Sequence, residues 1–243
     1  MAEVLEDAFA ATLAHELREP LSAIFAAVEV VRVAPATDAA RRASDIMRRR
    51  LEEMSRLVDD LVDAKRLACG KVSLHKSRLD LRDVMRDAVA DVEGAVADNG
   101  QEFLFADEHA PIWLDADRPR LLQAVLNLLR NAVKFTQPGG RITMAVERAA
   151  STVTLRIADT GRGIEADALP HIFDLFSQAR PQEGAGLGIG LSIVCEIVLL
   201  HGGSVEARSE GAWQGSEFMV RLPIAALPAH APETRAVLAS KSP

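Results

Sequence analysis

Apolar residues in the first part of the chain recur at every third or fourth position. Ala14, Leu17, Leu21, Ile24, Val28 and Val31 follow a 3-4-3-4 spacing, which predicts a helix with a coiled-coil-like seam. Pro35 and the short APATD stretch interrupt it, and Thr37 or Asp38 is placed to cap a second helix. That helix carries Met47, Leu51, Met54, Val58 and Leu61, spaced 4-3-4-3. A hairpin with one apolar seam on each helix cannot bury itself. Two copies make a four-helix bundle, so the pattern predicts a homodimer.

From Lys71 the texture changes. KVSLHKSRLD alternates like a strand, and LRDVMRDAVADVEGAVADNG reads as an amphipathic helix ending at Gly100. QEFLFADE and PIWLDAD predict short strands, and DRPRLLQAVLNLLRNAVKF a strongly apolar helix. A hairpin is expected through Ala149 to Ser151, where Val153, Leu155 and Ile157 alternate. LGIGLSIVCEIVLLHGG predicts a helix closed by two glycines, followed by a last hairpin turning near Gly211 to Gly215. Antiparallel strands mixed with helices, without regular βαβ units, predict an α+β two-layer sandwich. The expected division is a helical hairpin over 1–68, a sandwich domain over 72–226, and an Ala- and Pro-rich tail or linker over 227–243.

Composition narrows the classes. With 243 residues, 49% of them hydrophobic, the chain has material for a substantial core. A net charge of −7 argues against a nucleic-acid partner. RRASDIMRRR, interleaved with Ile46 and Met47 and followed by Glu52 and Glu53, reads as a solvated helix face. Cys69 and Cys195 lie far apart and match no metal spacing, which suits a reducing compartment. No run approaches the ~18 apolar residues of a membrane span. The first residues lack the basic-then-apolar order of a secretory signal. The expectation is a cytoplasmic segment without membrane contact.

Four stretches carry candidate chemistry. In LAHELREPLS, His15 sits among Glu16, Arg18 and Glu19, either solvated or chemically used. Gln123, Asn127, Asn131 and Lys134 share one face of an apolar helix. That face is either simply exposed or built for a ligand. Asparagine is a mediocre helix former, while two amide oxygens and a lysine suit a hydrated Mg²⁺ and phosphate oxygens. ADTGRGI places Asp159 at a strand end before Gly161 and Gly163, as a tight turn or as an acceptor for the exocyclic amine of a base. GAGLGIGLSIV runs alternate glycines into a helix. It is a linker or a phosphate-binding loop, but neither a P-loop nor a dinucleotide fingerprint.

In this order the motifs resemble the catalytic core of a two-component sensor histidine kinase. FAATLAHELREPLSAI resembles the phosphoacceptor box, NLLRNAVKFT the asparagine box and DTGRGI the first glycine box. IFDLF resembles the phenylalanine box and GLGIGLSIV the second glycine box. The resemblance implies a dimeric helical hairpin joined to an ATP-binding sandwich of the GHKL (Bergerat) type shared with gyrase, Hsp90 and MutL. It makes His15 the phosphoacceptor and Asn131 the main Mg²⁺ ligand, with Asn127 beside it near the phosphates. Lys134 would contact phosphate and Phe135 would lie near the adenine. Asp159 would accept from the adenine amine, with Gly161 and Gly163 shaping that wall. Phe173 and Phe176 would anchor a lid over 177–187, with Gly186, Gly188 and Gly190 as its closing hinge and Leu187 among the cofactor-binding positions.

The implied reaction moves the γ-phosphoryl group of ATP to a ring nitrogen of His15, and then to an aspartate on a response-regulator receiver domain, separate or fused. Ala14 and Leu17 point into the expected seam, which turns His15 outward, and Glu16 is placed to accept the other ring N–H. Pro20 lacks the N–H that would bond the Glu16 carbonyl, so a bend is expected there. One departure stands out. The residue four after the phosphoacceptor, commonly threonine or asparagine in the family, is Glu19. A carboxylate there would repel phosphoryl oxygens, which predicts weak phosphatase activity toward the partner. Two other classes fit parts of the pattern: a GHKL-type ATPase in which His15 is incidental, and a docking scaffold that has lost nucleotide.

Overall fold

The computed structural model describes residues 2–35, 37–68, 73–106, 110–177 and 187–225. Cys69, Gly186, the stretch 178–186 of the expected lid and the tail from 226 lie outside the described residues. Thr37 sets the first corner. Its hydroxyl donates to the Ala34 carbonyl at 2.8 Å and accepts from the Ala40 N–H at 3.2 Å, stopping helix α1 (Ala2–Val33) and capping α2 (Asp38–Ala68). Helix α1 runs through Pro20 without interruption.

The hairpin buries small residues: Ala27, Ala40 and Ala43 are almost fully covered, and Pro20 is buried as well. The expected seams are divided rather than buried whole. Leu17, Ile24 and Val31 of α1 are half-buried, as are Met47, Met54 and Leu61 of α2. Ala14, Leu21 and Val28 face outward, as do Leu51 and Val58, and Phe25 is 70% exposed. Each apolar stripe is wider than one neighbouring helix can cover, so its second edge stays open in the single chain.

The rest of the chain is the expected sandwich. Strands β1 (Ser77–Asp80), β2 (Glu102–Phe105), β3 (Trp113–Ala116), β4 (Arg141–Arg148), β5 (Thr152–Asp159), β6 (Ser204–Arg208) and β7 (Ser216–Pro223) alternate with helices α3 (Leu81–Asp98), α4 (Arg118–Phe135) and α5 (Gly190–Leu200). The main sheet runs β2-β4-β5-β7-β6, and β1 pairs separately with β3. All pairs are antiparallel except β2 with β4. That parallel pair is the one element the antiparallel expectation missed. The chain leaves β2, passes through β3 and α4, and re-enters the sheet in the same direction. The strand expected over KVSLHKSRLD is confined to Ser77–Asp80 among the described residues.

Two aspartates start the helices. Asp80 accepts from the Arg82 N–H at 3.1 Å to cap α3, and Asp117 accepts from the Arg120 N–H at 3.2 Å to cap α4. Leu121, Leu128 and Leu129 of α4 are fully buried against Ile142, Met144, Leu155 and Ile157 of the sheet, each worth roughly 1.5–3 kcal/mol. That packing holds α4 flat on the sheet and leaves its polar stripe turned away from the core. Leu57, Leu61 and Ala64 of α2 pack against the same core, so the hairpin rests on the sandwich.

Candidate functional site

A cleft of about 860 Å³ opens where α4, the end of β5, the start of α5 and the hairpin meet. Asn127, Asn131, Lys134 and Phe135 line it from α4, Asp159 and Gly163 from the β5 end, and Leu187, Gly188 and Gly190 from the entry to α5. Glu16 reaches it from α1, one residue after the exposed His15. Of the residues singled out in the sequence, Gly161, Phe173 and Phe176 do not line it, and Gly186 lies outside the described residues.

Asp159 is a half-buried acceptor. Its Oδ1 accepts from the Gly161 N–H at 2.8 Å and its Oδ2 from the Ser216 hydroxyl at 2.5 Å. Burial pushes its carboxyl above the usual carboxylate range, and the hydrogen bonds from Ser216 and Gly161 pull it partly back. Sequence reasoning passed over Ser216, which lies in a strand of ordinary alternation. Its faint signal is Gly215 directly before it, at the end of a turn.

The glycines of DTGRGI answer to backbone neighbours. A Cβ on Gly161 would lie 2.3 Å from the Phe135 carbonyl oxygen. Gly163 has φ +67°, and a Cβ there would lie 2.0 Å from the Gly211 carbonyl oxygen. The wall beside Asp159 is therefore main chain packed on main chain.

The polar stripe of α4 divides. Gln123 turns to the hairpin, donating to Asp63 Oδ2 at 2.8 Å, and Arg120 donates to the same oxygen at 2.6 Å. Asp60 nearby is pushed up to about 6 by burial and then by Asp63. Asn127 commits its amide N–H to the Gly190 carbonyl at 3.2 Å, which leaves its oxygen as an acceptor. The Asn131 side chain makes no hydrogen bond among the described residues and faces the cleft. The Lys134 ammonium lies deep enough between the cleft walls for desolvation to lower its pKa, although the residue as a whole is exposed. Glu16 of the hairpin opposes that shift and Arg162 adds to it.

The residues on either side of the undescribed stretch 178–186 are tied together. The Phe176 N–H donates to the Gly188 carbonyl at 3.0 Å, and Phe176 holds φ +65°, a strained conformation for a bulky residue. Phe173 packs edge-on against Phe218, ring centroids 6.4 Å apart.

Among the described residues no group of three or more His, Cys, Asp or Glu could hold a metal ion. The donors present are two amide side chains beside a lysine. That set fits Mg²⁺, which takes few protein ligands and fills its shell with water and phosphate oxygens. No described helix is long and apolar enough to cross a membrane.

Comparison with known proteins fits this geometry. Residues 116–226 match the model of the histidine kinase-, DNA gyrase B-, and HSP90-like ATPases, and residues 5–70 that of the His Kinase A (phospho-acceptor) domain. The sensor histidine kinase TrcS of Mycobacterium tuberculosis is 38% identical over 228 residues, which are 89% of this chain and 43% of TrcS. Full-length ShkA, solved in complex with AMPPNP, superposes with a TM-score of 0.65 at 29% identity, over 89% of this chain and 46% of ShkA. The histidine kinase ThkA, solved with the response regulator protein TrrA, shares the fold at 23% identity and a TM-score of 0.61, over 89% of this chain and 61% of that one. The chain spans less than half the length of the first curated relatives it matches.

Proposed function

The chain belongs to the sensor histidine kinases, and from that premise we propose that it transfers the γ-phosphoryl group of ATP to His15 and then to an aspartate of a response-regulator receiver domain. The observation that carries this reading is that Glu16, next to His15, lines the same cleft as Asn127, Asn131, Lys134 and Asp159. A phosphoacceptor helix and a nucleotide-sized site meet within one chain.

A neutral ring nitrogen of His15 forms the new N–P bond as the P–O bond to ADP breaks. Glu16 accepts the N–H at the other ring nitrogen, which fixes the tautomer and stabilises the imidazolium formed on attack. Asp159 holds the base through its exocyclic amine, while Lys134 and the oxygens of Asn127 and Asn131 face the phosphate end. Mg²⁺, held by Asn131 with Asn127 beside it, supplies charge neutralisation on the phosphates when bound. The lid that the family resemblance implies over 177–187, mostly outside the described residues, would hinge at Gly186, Gly188 and Gly190 and exclude water on closing.

The working division is a phosphoacceptor hairpin over 1–68 and an ATP-binding domain over 72–226. The open apolar edge at Leu21, Phe25, Val28, Leu51 and Val58 suits a second copy, giving a four-helix bundle. Alone or as part of a longer chain, this segment is read as working in the cytoplasm, in contact with neither membrane nor nucleic acid.

Incubation with γ-labelled ATP tests the reading. The expected result is an acid-labile, alkali-stable protein label that is lost in His15→Gln. Phosphate release without protein label would assign the chain to the conformational ATPases instead.

A further inference from the structure

The hairpin gives the cleft an acidic wall with one exception. Glu16 of α1 and Glu53, Asp59, Asp60 and Asp63 of α2 line it, and among them stands a single cation, Arg56. Carboxylates repel the phosphates of a nucleotide, so the one charge of opposite sign on that wall is the complementary group.

Helix α2 passes α4 in the opposite direction. Asp63 is bonded to Arg120 and Gln123 in the first turns of α4, whereas Glu53 bears on the charge of Lys134 in its last turn. Arg56, three residues from Glu53 and seven from Asp63, therefore stands toward the end of α4 that carries Asn131 and Lys134. Its height on the hairpin is fixed as well. His15 lies 19 residues before Ala34 and Arg56 lies 19 residues after Thr37, the two sides of the corner. Both helices rise about 1.5 Å per residue, so the two residues are level.

Two of the neighbouring carboxylates are already engaged. Glu53 is paired with Arg50 at 2.7 Å and Asp63 with Arg120 at 2.6 Å. Arg56 makes no hydrogen bond or ion pair among the described residues. Asp60 follows it by one turn on the same helix, yet Asp60 feels Arg130 of α4 more strongly than it feels Arg56. The guanidinium is thus turned from that carboxylate, and the residue is exposed at the cleft rim. An uncommitted planar fork of N–H donors matches phosphate oxygens in shape and charge.

We infer that Arg56 of the phosphoacceptor hairpin is a phosphate-binding residue of the ATP cleft, meeting the nucleotide from the wall opposite Asn131 and Lys134 at the level of His15. This rests on the ATP reading of the cleft given above. The bound nucleotide would then be held by both halves of the chain, its base end by the sandwich alone and its phosphate end by sandwich and hairpin together.

Calorimetric titration of ATP and of adenosine, with Mg²⁺ present, into the whole chain and its Arg56→Gln, Arg56→Lys and Arg42→Gln variants tests it. Arg56→Gln is expected to weaken ATP about three- to tenfold, the loss of a charge-assisted contact at an exposed rim, while adenosine stays within about twofold. Retained adenosine binding also reports a folded cleft. Arg56→Lys should recover part of the loss, since it keeps the charge without the fork. Arg42 is exposed on the same helix about 21 Å away and controls for net charge, so Arg42→Gln should bind ATP like the wild type. ATP affinity unchanged in Arg56→Gln, lowered as much by Arg42→Gln, or lost together with adenosine overturns the inference and leaves the ATP site standing. A wild-type chain that binds neither ligand overturns both.

Discussion

Asp63 on α2 and Arg120 on α4 are joined by a 2.6 Å hydrogen-bonded ion pair, the Asp63 side chain being 10% exposed and the Arg120 side chain 23%. Gln123 closes the group, donating to Asp63 at 2.8 Å and accepting from Arg120 at 2.8 Å. Together with the more exposed pair of Arg49 on α2 and Asp98 on α3, at 3.2 Å, it fastens the phosphoacceptor hairpin to the nucleotide-binding half.

Removing one partner of such a pair leaves a largely buried charge. Asp63→Ala should cost about 2–4 kcal/mol at that junction, and differential scanning calorimetry should then resolve separate melting of hairpin and sandwich. The double variant Asp63→Leu/Arg120→Met should recover most of the loss, since an apolar pair carries no desolvation cost. A single transition at an unchanged midpoint in Asp63→Ala would count against the fastening.

His201 gives a pH dependence with a defined sign. It is 4% exposed, its Nε2 lies 3.0 Å from the Asp117 N–H and its Nδ1 lies 2.7 Å from the Ile197 carbonyl, so the neutral ring satisfies both contacts. Burial, more than any other cause, holds its pKa below the ordinary 6.5. The unfolded chain then takes up the proton first on acidification. Stability from this group is intact above 6.5 and is lost as the pH falls toward the lower folded value. Thermal midpoints of wild type and His201→Gln, followed from about pH 8 to 5, should show the steeper acid decline in the wild type. Parallel curves would rule it out.

Glu19 is exposed on α1, one turn beyond His15, and its negative charge supports both Lys134 and Arg50. Its carboxylate is expected to repel a phosphoryl group brought to His15 by a partner. The core should therefore dephosphorylate a phosphorylated receiver weakly, and Glu19→Thr should speed that reaction. Rapid dephosphorylation by the wild type that Glu19→Ala abolishes would be the opposite outcome.

Ser216 holds the charged form of Asp159. Ser216→Ala should weaken ATP binding by about 3–10-fold, the loss of one hydrogen bond to a buried charge. It should also raise the Asp159 pKa further, because the hydroxyl is the main influence opposing burial. A protonated carboxyl accepts poorly from a base amine, so affinity in the variant should begin to fall at a higher pH on acidification. Titrations at several pH values check both the size and the direction.

The sequence carried the elements well where a face repeats over several turns. The α4 stripe was legible because Asn127, Asn131 and Lys134 interrupt an otherwise apolar helix. Gln123 belongs to the same stripe by spacing, yet it serves the hairpin, because the hairpin covers that end of α4 and only the packing of α2 decides this. Ser216 left no periodic trace, since it acts through a neighbour distant in sequence, Asp159. The parallel pairing of β2 with β4 was hidden for a related reason. Four-residue strands have an alternation but no direction until the crossover through α4 is built.

The wall beside Asp159 has a consequence for how this site tolerates change. Gly163 abuts the Gly211 carbonyl, the Gly215 N–H donates to the Gly161 carbonyl at 3.1 Å, and the Trp213 N–H reaches Arg162. The wall's outer support is thus the turn between β6 and β7, held by main-chain groups and by the Ser209 hydroxyl, which donates to the Gly215 carbonyl at 2.7 Å and accepts from the Ile164 N–H at 2.9 Å. Away from Ser209 and the glycines, side chains in that turn can change without moving those groups, whereas one residue inserted or deleted between Ser209 and Gly215 moves all of them. What the fold must keep constant there is a length.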